Sequence, residues 1–249
     1  MNTLKARAEL IAAIRAFFAS RGVMEVDTPM LSAHATVDRH IDSFAVPGPE
    51  SRVPSPGFWL HTSPEFAMKR LLAAGTGPIY QLCHVFRREE SGTNHNPEFL
   101  MLEWYRIGWD HYRLMDEVTA LIVQSVSRFG VDDFPLPERL SYREAFVRHA
   151  GFDPFKASLS RLSKIDAPAS ATPAERADRD FWLNLWMGAV VAPKLGRDRP
   201  DFVFDYPATQ AALARVQPGD PPVAERFEMF WRGIELANGF HELLDPVEQ

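Results

Sequence analysis

Three stretches of this 249-residue chain place charged, aromatic and amide side chains at spacings that suit chemistry. The first runs from Phe86-Arg87-Arg88-Glu89 to His95-Asn96-Pro97-Glu98-Phe99, two strand ends around a polar loop. On the returning strand, period-two alternation puts Phe99, Met101, Glu103, Tyr105 and Ile107 on one face. A carboxylate among aromatics needs a partner when buried. This face therefore reads as the floor of a site for something cationic and something aromatic. Arg87, at the neighbouring strand end, offers a planar fork that suits a phosphate or carboxylate. An ion pair between Arg87 or Arg88 and a nearby Glu is the plainer alternative.

The second stretch is Arg226-Phe227-Glu228-Met229-Phe230-Trp231-Arg232-Gly233-Ile234-Glu235. A hairpin turn centred on Trp231-Arg232 would set Glu228 directly opposite Glu235. Like charges so placed repel unless a cation lies between them. Two carboxylates with phosphate oxygens suit Mg²⁺. The alternative is a different register with one Glu turned to solvent. The third stretch, Glu235 to Glu242, packs Asn238, Gly239 and Glu242 among apolar residues, as either a small polar pocket or a solvated turn. The histidines show no zinc spacing.

These residues need elements to hold them. Met1 to Gly22 has Leu4, Ala8, Ile11, Ile14 and Phe18 at helical spacing and Gly22 as a stop signal. Val23 to Leu31 is short and extended, broken by Pro29. Pro47 to Gly57 is a Pro/Gly loop, and Trp59 to Thr62 a strand. Ser63-Pro64-Glu65 supplies an N-cap, a first-turn proline and an acid for a helix ending near Gly75. Pro78 to Arg88 and Glu98 to Trp109 are strands whose connection, Glu89 to Asn96, is too long for a tight turn. A helix follows over His111 to Phe129. Further helix is expected at Ala174 to Val191, a strand at Asp201 to Tyr206 and a hairpin at Ala224 to Gly239. Residues 152–200 read as a variable helical insertion. The pattern predicts a single α+β domain over 1–249, an antiparallel sheet flanked by helices.

Composition narrows the function. Apolar residues make up 46% and charged residues 24%, with 27 basic against 33 acidic side chains and a net charge of −6. A nucleic-acid-gripping protein usually carries a basic surplus, although a local patch can hide inside such a balance. No stretch is long and apolar enough to span a membrane. The lone Cys83 rules out an internal disulfide and fits a reducing, cytoplasmic setting. Its apolar neighbours suggest a buried structural thiol.

The same residues carry a resemblance. Gly22-Val23-Met24-Glu25-Val26-Asp27-Thr28-Pro29-Met30-Leu31 resembles motif 1 of class II aminoacyl-tRNA synthetases in its lysyl form. Ser63-Pro64-Glu65 with Met68-Lys69-Arg70-Leu71 resembles the lysyl enzymes' amino-acid-binding helix. Phe86 to Glu89, His95 to Phe99 and Glu103-Trp104-Tyr105 resemble motif 2. Glu228, Glu235, Asn238-Gly239-Phe240 and Glu242 resemble the acidic strands before motif 3. Order and spacing agree over most of the chain except 152–200. Within the family, the likeness is to the short lysyl-synthetase paralogues that ligate (R)-β-lysine to elongation factor P. The chain enters motif 1 almost at once, without room for an anticodon-binding barrel. It reaches Gln249 without the glycine-rich motif 3, so it reads as truncated ahead of that motif or as a degenerate form.

The resemblance implies ATP and Mg²⁺ as cofactors, a lysine-type amino acid and elongation factor P as partners, no tRNA, and a homodimer built on motif 1. By position, Arg87 would hold the α-phosphate and amino-acid carboxylate and act catalytically. Arg88, Glu89, Asn96, Phe99, Glu228 and Met229 would line the ATP site, with Glu89 on the adenine amino group and Phe99 stacked on the ring. Ser63, Pro64, Glu65, Tyr105, Glu235, Asn238 and Glu242 would hold the amino acid, and Glu228 and Glu235 the metal. A lysyl-adenylate former acting on tRNA and a non-catalytic module are the competing readings.

Overall fold

The computed structural model describes residues 3–37, 41–48, 57–88, 90–92, 95–245 and 247–248. It divides into two compact units, Met1–Gly108 and Trp109–Gln249.

In the first unit, helix α1 (Thr3–Ala19) precedes β1 (Met24–Glu25), β2 (Leu31–Ser32), β3 (Ala45–Val46) and β4 (Phe58–Leu60). Helix α2 (Glu65–Ala73), β5 (Ile79–Phe86) and β6 (Glu98–Tyr105) follow. Strand β5 lies between β1, parallel to it, and β6, antiparallel; β2, β4 and β3 form a second small sheet. The register pairs Ile79 with Tyr105 and runs to Phe86 with Glu98, so the 87–97 connection leaves the strands at one end. Phe17 and Phe18 of α1 are wholly buried. Phe18 stacks on Tyr80, ring centroids 4.5 Å apart, and lies 5.4 Å from Trp104. Burying each such ring contributes about 2–3 kcal/mol. Because α1 packs on the Tyr80/Trp104 side, the Gln81, Cys83, Glu103 and Tyr105 side chains fall on the opposite side of the same two strands.

The expected elements of this unit are present with shifted ends. The strand expected at Trp59–Thr62 is Phe58–Leu60. Pro64, not Ser63, occupies the N-cap of α2, with φ −77° and ψ 2°; the Ser63 hydroxyl still accepts from the Glu65 N–H at 3.0 Å. Most of the expected Pro47–Gly57 loop lies outside the described residues. Cys83 is half-buried rather than buried, and burial pushes its thiol up to about 11, which leaves it a poor thiolate.

In the second unit, α3 (His111–Ser127), β7 (Glu138–Ser141), α4 (Tyr142–Ala150), α5 (Leu159–Leu162), α6 (Pro173–Ala177) and α7 (Arg179–Trp186) precede β8 (Asp201–Pro207). Strands β9 (Val216–Gln217), β10 (Val223–Trp231) and β11 (Ile234–Phe240) complete it. The sheet runs β11-β10-β8-β7 with β9 also on β10; only the β7–β8 pairing in it is parallel. Tyr142, Phe146, Trp182, Leu183, Val191 and Leu195 pack with Val203, Tyr206 and Phe230 of the sheet into one core. The helix expected over Ala174–Val191 is broken. Asp178 is extended at ψ 129°, and its carboxylate accepts from the Asp180 N–H to start α7 anew, which then ends in a π turn, Met187–Val191. Mainly antiparallel sheets, with parallel pairings only at β1–β5 and β7–β8 among the described residues, and separate helices make the chain α+β, as expected. Among the described residues no helix is long and apolar enough to cross a membrane.

Candidate active site

In the first unit, the face of β6 read as a floor is built around Glu103. Ser63 Oγ donates to one carboxylate oxygen at 2.8 Å and the Tyr105 hydroxyl to the other at 2.9 Å. The residue keeps some exposed surface, but its carboxyl end is enclosed. Burial raises its pKa to about 7 in spite of both hydrogen bonds, with Glu65 adding repulsion and Lys69 opposing it. A carboxylate so poised gains most from an incoming cation. Glu65 itself is held by Lys69, Nζ to Oε1 2.7 Å, and Pro64 is buried.

At the other end of the same face, the Arg87 guanidinium lies over the Phe99 ring, Cζ 5.2 Å from the centroid. Nε donates to the Thr62 carbonyl at 3.2 Å and Nη1 to Glu90 at 3.0 Å. The ion pair posed as the plain alternative therefore exists, with Glu90, yet Arg87 is also fixed over an aromatic face. Phe99 and Glu103, four residues apart on β6, stand roughly 13 Å apart at ordinary strand rise. The face thus holds a cation and an aromatic ring at one end and a buried carboxylate at the other. Arg88 and Asn96 are exposed at the two strand ends, and the Arg88 N–H is bound to the Asp42 carbonyl at 2.9 Å. Glu89 lies outside the described residues.

In the second unit, the hairpin differs from the expected one. The turn falls on Arg232-Gly233, both at positive φ (53° and 75°), the two-residue form whose twist matches the strands. Trp231 then pairs with Ile234 and Phe230 with Glu235; after a bulge, Met229 pairs with Ala237 and Glu228 with Asn238. Glu228 and Glu235 are consequently not opposed, which corrects the expectation from sequence. The bulge nonetheless returns Glu235 to the side of the sheet that carries Glu228 and Asn238, as diagonal neighbours. Gly239, opposite Phe227, lets β11 pack closely: a Cβ there would lie 2.7 Å from the Phe227 ring and 3.0 Å from Leu114 of α3.

Glu228 also has an ion-pair partner that the sequence reading did not assign. Arg226 Nη2 donates to its Oε1 at 2.5 Å, while Nη1 donates to the Gln210 carbonyl at 3.0 Å. The same guanidinium lies 4.5 Å from the Tyr206 ring centroid. Burial, with Glu228 adding to it, holds the Tyr206 hydroxyl well above its ordinary pKa. Met229 is fully buried; Glu235 and Asn238 are exposed. Glu242 forms an isolated bridge with Ala214, and its carbonyl accepts from Arg215 at 2.9 Å. Two carboxylates on one side of a hairpin suit Mg²⁺, which takes oxygen ligands and usually keeps several waters beside phosphates. Among the described residues no third His, Cys, Asp or Glu stands with them, so phosphates and waters would have to supply the remaining ligands of such an ion.

Comparison with known proteins decides the family. Residues 1–249 match the family of tRNA synthetases class II (D, K and N). The chain is also 50% identical over 260 residues to the elongation factor P–(R)-β-lysine ligase of Vibrio cholerae serotype O1. It is 51% identical over 256 residues to that of Vibrio parahaemolyticus serotype O3:K6 and 48% over 253 residues to that of Pasteurella multocida. Each comparison covers 100% of this chain and 76% of the relative.

The chain belongs to the class II tRNA synthetase family.

As a class II synthetase, it has the sequence-predicted residues of its first unit on β6 and at the ends of β5 and α2, and those of its second unit on and just after the β10–β11 hairpin. Alternation put Glu103 on the same face as Phe99 and Tyr105 and marked that face as the floor of a site for a cation, without identifying Ser63 and Tyr105 as the hydrogen-bond donors to it. Arg226 could have been found the same way, two residues before Glu228 on one strand.

Proposed function

We propose that this synthetase homologue activates (R)-β-lysine with ATP and transfers it to a lysine side chain of elongation factor P, as a cytoplasmic homodimer that does not charge tRNA. The observation that carries this is the enclosed Glu103 carboxylate, bonded by Ser63 and Tyr105 and raised to about 7. A site built this way rewards an ammonium group in the substrate, and Arg87 over Phe99 lies at the far end of the same face.

In this scheme Glu103 and Glu65 take the ammonium groups, and Lys69 releases Glu65 to do so. Asn238 and Glu242 are assigned to amino-acid binding by the motif resemblance alone. Phe99 stacks on adenine, with Arg88, Glu89, Asn96 and Met229 completing the nucleotide site. Glu228 and Glu235 would hold Mg²⁺, which would supply screening of the phosphate charge. The amino-acid carboxylate attacks the α-phosphorus, the P–O bond to pyrophosphate breaks, and an acyl-adenylate forms. Arg87 stabilises the charge that develops on the α-phosphate and holds the reacting groups in line. The unprotonated acceptor amine then attacks the acyl carbon, an amide forms, AMP leaves, and the proton passes to solvent. No protein nucleophile is required.

Pyrophosphate exchange across a panel of amino acids tests the activation half. Exchange with (R)-β-lysine, weaker exchange with lysine, and none with leucine or glutamate is the expected pattern. Preference for an uncharged amino acid contradicts the proposal.

A further inference from the structure

Beside Glu103 sits a polar side chain that neither the packing nor the chemistry above uses. Gln81 of β5 is 1% exposed, and in the register of the two strands it is directly opposite Glu103. Directly paired residues point to the same side of a sheet, with Cβ atoms about 5 Å apart. Neither Nε2 nor Oε1 of Gln81 makes a hydrogen bond of sound geometry among the described residues. The Cys83 thiol, two residues along the same side, interacts with Gln81 but is a weak hydrogen-bonding partner. A buried carboxamide so poorly satisfied is costly, and an apolar side chain of the same length would fill this position better. The cost has a reason if a ligand supplies the missing partner.

The neighbouring carboxylate indicates which ligand. Each Glu103 oxygen already accepts one protein hydrogen bond, leaving spare acceptor capacity on both. An ammonium ion brings three N–H donors and no acceptor. A carboxylate alone neutralises its charge but leaves donors to satisfy, and a carboxamide oxygen on the adjacent strand is a neutral acceptor for one of them. Deepening the function proposed above, and resting on it, we infer that Gln81 is a substrate-contacting specificity residue. Its carboxamide oxygen accepts an N–H of the ammonium group that Glu103 neutralises, and the two together select a primary ammonium. A second acidic residue at position 81 would bind the cation too, but would set two carboxylates against each other in the unliganded protein.

The test uses the full-length protein with Gln81→Met, which keeps the length and removes both hydrogen-bonding atoms, and with Gln81→Glu, which keeps an acceptor. In pyrophosphate exchange with (R)-β-lysine, Gln81→Met should raise the amino-acid KM about tenfold. Its ATP KM should stay as in wild type, and its unliganded Tm should be equal or higher. Gln81→Glu should stay within a few-fold of the wild-type amino-acid KM, with a lower Tm above pH 7 that added amino acid restores. An unchanged amino-acid KM in Gln81→Met overturns the inference. Equal losses toward both substrates with a lowered Tm also overturn it, since that is a packing role. If Gln81→Met fails to fold, Gln81→Glu decides: a tenfold loss there refutes the acceptor role, and near-wild-type KM supports it. If wild type exchanges with no lysine-type amino acid, the proposed function fails on its own account. The ammonium site is then read with 1-aminopentane. Stabilisation of wild type but not of Gln81→Met upholds it, and equal stabilisation of both, or of neither, refutes it.

Discussion

Glu103 should make amino-acid binding depend on pH around 7. Its pKa is raised from 4.5 to about 7, so the folded protein holds a proton that the unfolded chain has released between those values. Stability therefore falls as pH rises from about 4.5 through 7, and above 7 the full cost, about 3 kcal/mol, is present. Glu103→Gln removes that ionisation but accepts only one of the two hydrogen bonds well, at a loss of about 1 kcal/mol. The unliganded variant should thus be about 2 kcal/mol more stable than wild type at pH 8 and slightly less stable near pH 4. Binding reverses the preference. A substrate ammonium needs the ionised carboxylate, which at pH 6 is about one-eleventh of the population and at pH 8 nearly all of it. The apparent Kd for the amino acid should rise about tenfold from pH 8 to pH 6, and binding at pH 6 should release close to one proton. Calorimetry at each pH in two buffers of different ionisation enthalpy reads both quantities, with ATP affinity as the control. A Kd flat across pH 6–8, or a Glu103→Gln variant that binds the amino acid like wild type, would refute the reasoning.

The remaining predictions bear on other parts of the site. Glu228→Gln should lower unliganded stability by about 1–3 kcal/mol, because it strands the partly buried Arg226, whereas exposed Glu235→Gln should stay within about 0.5 kcal/mol of wild type by thermal melting. Both should weaken Mg²⁺-dependent ATP binding; if either binds Mg²⁺-ATP as tightly as wild type, its place in the metal site is wrong. Arg87→Lys should retain the fold and cut exchange by roughly 10²-fold or more, since a point charge cannot reproduce the fork fixed over Phe99; near-wild-type exchange would contradict its role. Gly239→Ala should cost about 1–3 kcal/mol by forcing a methyl into the Phe227 ring, and a neutral melting temperature would show that β11 packs differently.

How much was legible from the residues depended on whether local rules governed them. Apolar periodicity located α1, and alternation put Phe99, Glu103 and Tyr105 on one face, because both follow from backbone geometry alone. The hairpin register was not legible, since it hangs on Arg232 adopting a positive φ and on a bulge near Leu236. Arg232 bears no sequence mark of that conformation. The break in the 174–191 helix was marked: Thr172 and Asp178 each precede a capped first turn, and their side chains close both caps. Ser141-Tyr142-Arg143-Glu144 likewise carries the capping box that opens α4, for which no element was expected. The partners of Glu65 and Glu228 needed three-dimensional contact to identify. Lys69 was hinted at by its i+4 spacing and Arg226 by its i−2 spacing, but rotamer choice decided both.

Transfer to elongation factor P is tested most directly by mass spectrometry of that protein, purified and incubated with the full-length synthetase homologue, Mg²⁺-ATP and (R)-β-lysine. A mass gain of one lysyl residue on a single lysine side chain is expected. That gain should depend on ATP and be lost with Arg87→Lys. Unmodified elongation factor P alongside robust acylation of tRNA under the same conditions would contradict the proposed activity.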